Sequence, residues 1–86
     1  LEHIEAVELE IAGCNDGPSW HWICRLKGGG YIYAHGGCDY TGWDCQSSVD
    51  VHEAATQAEA IALCGQDERR IFEEMLISGE TVRKAK

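Results

Sequence analysis

The chain has 86 residues and a mass of 9.5 kDa, enough for one domain. Fifteen acidic against seven basic side chains give a net charge of −8, and three of the seven, Arg83, Lys84 and Lys86, fall in the last four residues. The resulting 15 acids against 4 bases over residues 1–82 argue against binding to nucleic-acid phosphates or anionic membrane, both of which need clustered cations.

A domain this small buries only about 60% of the surface its unfolded chain exposes, so every large apolar group matters to its core. No apolar run approaches the roughly 20 residues of a spanning helix, and nothing reads as a signal peptide. Five cysteines, Cys14, Cys24, Cys38, Cys45 and Cys64, are an odd number, which leaves at least one thiol outside any intramolecular pairing. Without an export signal the expected setting is a reducing cytoplasm with mostly free thiols. Cys24 and Cys64 sit at apolar positions and read as small buried hydrophobes.

In chain order, Val7, Leu9 and Ile11 alternate with Glu8 and Glu10, a half-buried strand with its acids in water. Residues 13–18 are dense in turn formers, and Pro18 cannot donate to a ladder. From Ser19 to Lys27 a second strand puts Trp20, Trp22, Cys24 and Leu26 on one face, with His21, Ile23, Arg25 and Lys27 on the other. Gly28-Gly29-Gly30 lacks the Lys and Ser/Thr of a phosphate cradle and reads as a hairpin turn into a third strand, Tyr31–His35. Gly36 to Ser48 reads as irregular, and Val49 to His52 alternate as a short fourth strand. Thr56 with Glu59 has the spacing of a capping box, opening a helix with Ala58, Ile61, Ala62 and Cys64 as expected core contacts. Asp67 starts a second helix in which Ile71, Phe72, Met75 and Leu76 recur at helical spacing, and Gly79 ends it. Residues 80–86 are polar and expected to fray. The pattern predicts an α+β domain over residues 1–82, with a four-stranded antiparallel meander followed by two helices on one face, and a basic tail at 83–86.

Six of the seven aromatics lie between Trp20 and Trp43, and the densest chemistry runs from His35 to Cys45. Three readings compete there. His35, Cys38, Cys45 and His52 have the residue types of a structural zinc site, although only His35 and Cys38 form a close pair. A nucleophilic Cys38 or Cys45, with His35 or His52 as base and Asp39 or Asp44 as orienter, is a thiol-enzyme reading. The adjacent carboxylates disfavour a thiolate, and the expectation is that the chain is not an enzyme. The third reading is a binding surface made by Asp39, Tyr40, Trp43 and Asp44, with an Asp39 turn bending at Thr41 and Gly42, and with Glu8 and Glu10 as a second acidic patch. A Cys38–Cys45 disulfide stays open beside these, while His3 and His21 are expected to point outward.

The stretch Gly36-Gly37-Cys38-Asp39-Tyr40-Thr41-Gly42-Trp43-Asp44-Cys45-Gln46-Ser47 resembles a G-x-D-Y-T-G-W-D-C-type loop of small, functionally uncharacterised bacteriophage and prophage proteins. The match covers about a dozen residues closely and residues 20–75 loosely. It implies a bacterial cytoplasm and a product of mobile DNA, and no catalytic residue carries over. By analogy, small acidic phage proteins act as inhibitors that clamp a host protein, anti-CRISPR and other anti-defence factors among them. The leading expectation is therefore a protein that occludes a macromolecular partner, such as a basic nucleic-acid-binding protein of the host. A zinc-stabilised accessory module is the alternative, without zinc being needed by the first reading. An exposed sheet edge also predicts a homodimer.

Overall fold

The computed structural model describes residues 3–13, 19–41 and 44–84, with side chains at 38–41 and 44–48 outside the description. Five strands and two helices succeed one another as β1 (Ile4–Ala12), β2 (Trp20–Leu26), β3 (Tyr31–Thr41), β4 (Asp44–Ala54), α1 (Gln57–Ala62), α2 (Gln66–Ser78) and β5 (Val82–Lys84). The fold is α+β. Strands β1 to β4 form the expected antiparallel meander, and the sheet order is β4-β3-β2-β1-β5.

The sheet has a fifth strand where four were expected. Gly79 caps α2 in the left-handed region at φ 80°, and both its N–H and that of Glu80 donate to the Met75 carbonyl. Only glycine adopts that conformation without a Cβ penalty. The reversal brings Val82–Lys84 onto the free edge of β1 in parallel register, with the Glu10 N–H donating to the Thr81 carbonyl at 2.9 Å. Arg83 and Lys84, expected in a frayed tail, are thus paired backbone, and the Arg83 guanidinium bonds Glu74 and Glu80.

The core lies between one sheet face and the helices. Leu9, Ile11, Ile23 and Tyr33 from the sheet meet Ala60, Ile61, Phe72 and Met75 from the helices. Phe72 and Met75 are the expected contacts of α2, while Ile71 is half-buried and Leu76 is largely exposed. In α1 the buried pair is Ala60 and Ile61, and Ala58 and Ala62 face water. Thr56 caps α1 as predicted: Glu59 N–H donates to Thr56 Oγ1 at 3.2 Å, and the Glu59 carboxylate accepts from the Ala55 N–H, one residue before the cap. Gly65, not Asp67, is the N-cap of α2, so the helix begins at Gln66 rather than Glu68.

Strand β1 departs from simple alternation. Its register against β2 shifts between Ile4 and Ala6 and again between Val7 and Leu9. Each shift inserts one residue and exchanges the faces of the residues beyond it. Val7 therefore pairs with Cys24 on the face away from the helices, whereas Leu9 pairs with Ile23 and is buried beneath them. The expectation that Val7, Leu9 and Ile11 share one face is corrected on this point.

Candidate functional site

The segment richest in unusual residues is a ladder, not an irregular loop. Strands β3 and β4 pair from Tyr31↔Ala54 to Thr41↔Asp44, while β2 leaves β3 at Trp20↔Gly36. Ser19 still lies beside Gly37, where an added Cβ would stand 3.3 Å from its hydroxyl. Four register pairs, Cys38↔Ser47 to Thr41↔Asp44, then run on past β2. At about 3.3 Å per residue they extend the two-stranded ribbon by roughly 13 Å.

Asp39 and Tyr40 stand in the outgoing arm of that ribbon, opposite Gln46 and Cys45, and Asp44 begins the returning arm. An Asp39-capped turn at this point is replaced by strand pairing. Trp43 lies outside the described residues. The two other acids expected to bind, Glu8 and Glu10, are half-buried in β1. Glu8 is occupied within the fold: it accepts from Gln57 Nε2 at 2.9 Å and faces Arg25 Nη1 at 3.7 Å. It fastens α1 to the sheet and is not free for a partner.

A second cluster sits on the helix-covered face, where the cover ends. His21 pairs with His35 across β2 and β3, and Tyr33 pairs with His52 across β3 and β4, so the four side chains share one face. Their rings stack: His21 on Tyr33 with centroids 5.9 Å apart, Tyr33 on His35 at 5.1 Å, and His35 on His52 at 5.6 Å and 6° between planes. His21, expected outside and idle, is instead tied at both nitrogens. Tyr33 Oη lies 2.7 Å from its Nδ1, and Glu68 Oε1 lies 3.8 Å from its Nε2. The arrangement fits a phenol donating to Nδ1 and a neutral ring whose Nε2–H faces the carboxylate.

Burial pulls the His21 imidazole below its ordinary value, Glu68 opposes that shift, and the neighbouring His35 adds to it. The same burial, reinforced by Cys64 and Glu68, raises the Tyr33 phenol well above its usual range. Burial, with Glu68 again contributing, pushes the Cys64 thiol up to about 12, and its Sγ donates to the Ala60 carbonyl. Cys24, buried on the other side of the sheet, is raised by burial as well. Both described thiols are therefore protonated at neutral pH and poor nucleophiles. Tyr33, His21 and Glu68 form a polar chain that holds the edge of α2 to the sheet.

Of the zinc ligand set, the fold brings His35 and His52 together. The register positions of Cys38 and Cys45 fall opposite Ser47 and Tyr40 further along the ribbon, and their side chains lie outside the described residues. Among the described residues no three His, Cys, Asp or Glu groups converge as metal ligands. In the nearly parallel His35 and His52 rings the nitrogen lone pairs lie in the ring planes and run side by side rather than toward a common point.

The sheet face away from the helices has no cover among the described residues. It forms a concavity of about 680 Å³, floored by Trp22, Cys24, Ile32 and Ala34 and flanked by Val7 and Val51. Of the alternating Trp20, Trp22, Cys24 and Leu26 of the sequence, the last three line it. Alternation in the sequence separates the two faces of β2 but does not mark this one as open. A signal is present in Val49 and Val51, apolar in strand alternation on a strand that no second layer reaches on that side.

No protein-family model, curated protein or solved structure matches the chain. No helix among the described residues is long and apolar enough to cross a membrane.

Proposed function

We propose that the chain is a small acidic protein of the phage type that acts by binding and occluding a macromolecular partner, an anti-defence or host-takeover inhibitor rather than an enzyme. The observation that carries this reading is the β3–β4 ribbon, which extends four register pairs beyond its neighbour strand and has Asp39, Tyr40 and Asp44 among those pairs. A two-stranded ribbon alone is marginally stable in water, so a protein that maintains one gains by inserting it elsewhere. Aromatic side chains between carboxylates suit a pocket with a basic rim. The net charge of −8 supports the same choice, since it speeds encounter with a cationic, nucleic-acid-binding protein in the bacterial cytoplasm. Protonated Cys24, buried, and Cys64, half-buried, support a role without covalent chemistry.

The test is capture from bacterial lysate with wild type and with Tyr40→Ala/Trp43→Ala. The reading expects a basic protein held by wild type and lost by the double variant, whose melting temperature stays close to that of wild type. Equal capture by both chains removes the ribbon from the binding surface.

A further inference from the structure

The two edges of the sheet are unlike. On one, β5 is three residues long and carries Arg83 and Lys84, and the stretch of β1 that it leaves uncovered has two register shifts. Short, cationic and bulged edges resist pairing with another chain. On the other, β4 runs for 11 residues without proline, lysine or arginine, and its register against β3 is regular throughout. In an antiparallel pair alternate residues bond the neighbour, so the residues between them turn their N–H and C=O groups outward. Among the described residues, no backbone group outside β3 bonds to β4.

We propose that the β4 edge receives an extended cationic segment of a protein partner, which joins the sheet as a further strand. The inference rests on the reading above for one thing, a basic protein partner, and adds how that partner is held. In this mode main-chain bonds give the affinity, and alternate side chains give the selectivity.

Charge argues for a cationic occupant. The β5 edge carries Arg83 and Lys84, whereas β3 and β4 contain no lysine or arginine and have Asp39, Asp44, Asp50 and Glu53. A basic strand is attracted to such an edge, and a second copy of the same edge is repelled by it. The side chains set the pattern. Val49 and Val51 border the open face and are 57% and 54% exposed. Asp50, between them, stands opposite His35 on the other face, with its side chain 71% exposed. A segment that alternates apolar and basic residues fits both faces at once. Its apolar side chains lie beside Val49 and Val51, and a lysine or arginine lies beside Asp50.

Titration of the full chain with a blocked octapeptide of alternating lysine and valine, read by amide hydrogen exchange, tests it. At saturation, alternate amides of residues 49–53 are expected to exchange at least tenfold more slowly, while those of Val82–Lys84 keep their rates. Val51→Lys and, separately, Val49→Lys place a cation on the edge at exposed sites. Each is expected to keep the far-ultraviolet spectrum and to weaken peptide binding at least about tenfold. The fully N-methylated peptide has the same charge and no backbone donors, and is expected not to bind. Tyr40→Ala/Trp43→Ala leaves binding of the octapeptide unchanged, so failure of the edge and failure of the ribbon are seen separately. Absence of binding, equal binding of the N-methylated peptide, or protection that misses β4 overturns the proposal. So does a chain that pairs with its own copy through β4 when no peptide is present.

Discussion

Glu68→Gln separates the charge at the helix–sheet seam from everything else that residue does. Glu68 is in the first turn of α2, where a carboxylate favours the helix dipole. It also faces His21 at 3.8 Å, with the two side chains 30% and 13% exposed. The neutral ring already turns its Nε2–H toward the carboxylate, and the contact becomes an ion pair when the imidazole is protonated. Burial lowers the folded-state pKa of His21, so the unfolded chain binds the proton first as pH falls. Stability is therefore full above the unfolded value near 6.5 and declines as pH drops through it, levelling off below the folded value. Glu68 limits that decline by favouring the protonated ring. An ion pair at this depth contributes about 1 kcal/mol after allowance for its partial exposure. The variant should thus lose up to about 1 kcal/mol more, relative to wild type, at pH 5 than at pH 8, to the extent that the folded ring is charged at pH 5. In a domain of this size that is roughly 4–8 °C of additional loss in melting temperature. Thermal melts of both chains at the two pH values measure it, and the pH 8 pair removes the dipole contribution. An identical difference at pH 5 and pH 8 would refute a His21 that becomes charged beside Glu68 by pH 5.

The remaining predictions concern the core and the thiols. Phe72→Ala empties a fully buried position at the centre of the cluster between α2 and the sheet, and is expected to cost about 3–5 kcal/mol by urea denaturation. A loss below about 1 kcal/mol would mean that the helices do not pack there as described. In the folded protein, Cys24 and Cys64 are expected to alkylate far more slowly at neutral pH than in urea, since burial raises both thiols. Peptide mapping of iodoacetamide adducts reads each site, and fast native labelling of Cys64 would contradict its place against the core beside Tyr33.

Periodicity makes the meander legible. Alternating faces in β2, the glycine run before β3 and the helix cap at Thr56 each arise from local stereochemistry, and each is found. Gly29 and Gly30 have φ 94° and 88°, conformations that side chains rarely adopt, and at Gly30 a Cβ would also meet the Ala54 carbonyl at 3.4 Å. The features that local sequence does not show are determined by partners distant along the chain. Gly36 to Ser48 is glycine-rich and polar, so by composition it resembles a loop, and only the facing arm turns it into a ladder. Bulges in β1 leave no mark on an alternating sequence because an inserted glutamate looks like any other polar position. Strand β5 is three residues whose conformation depends on the left-handed reversal at Gly79 and on the free edge of β1.

The candidate site divides along the same line. His35 and His52 are seventeen positions apart, and pairing of β3 with β4 brings their rings within 5.6 Å. A histidine that alternates with tryptophans, as His21 does, looks solvent-facing, because the helices that cover it come some forty residues later. Glu8 misleads for a similar reason: Gln57, its partner, lies on a helix that β1 meets only after folding. Residue type alone makes Asp39, Tyr40 and Asp44 distinctive, but their place on an extended arm depends on strand pairing.

The claim at the centre of this account is that the ribbon delivers the chain to a basic partner. Titrating the captured partner, once purified, against wild type and against Tyr40→Ala/Trp43→Ala at two salt concentrations tests it most directly. The account predicts an affinity that falls with salt and, at either salt, a dissociation constant at least tenfold weaker for the variant, about 1.4 kcal/mol or more. Equal affinities, or binding indifferent to salt, would contradict it.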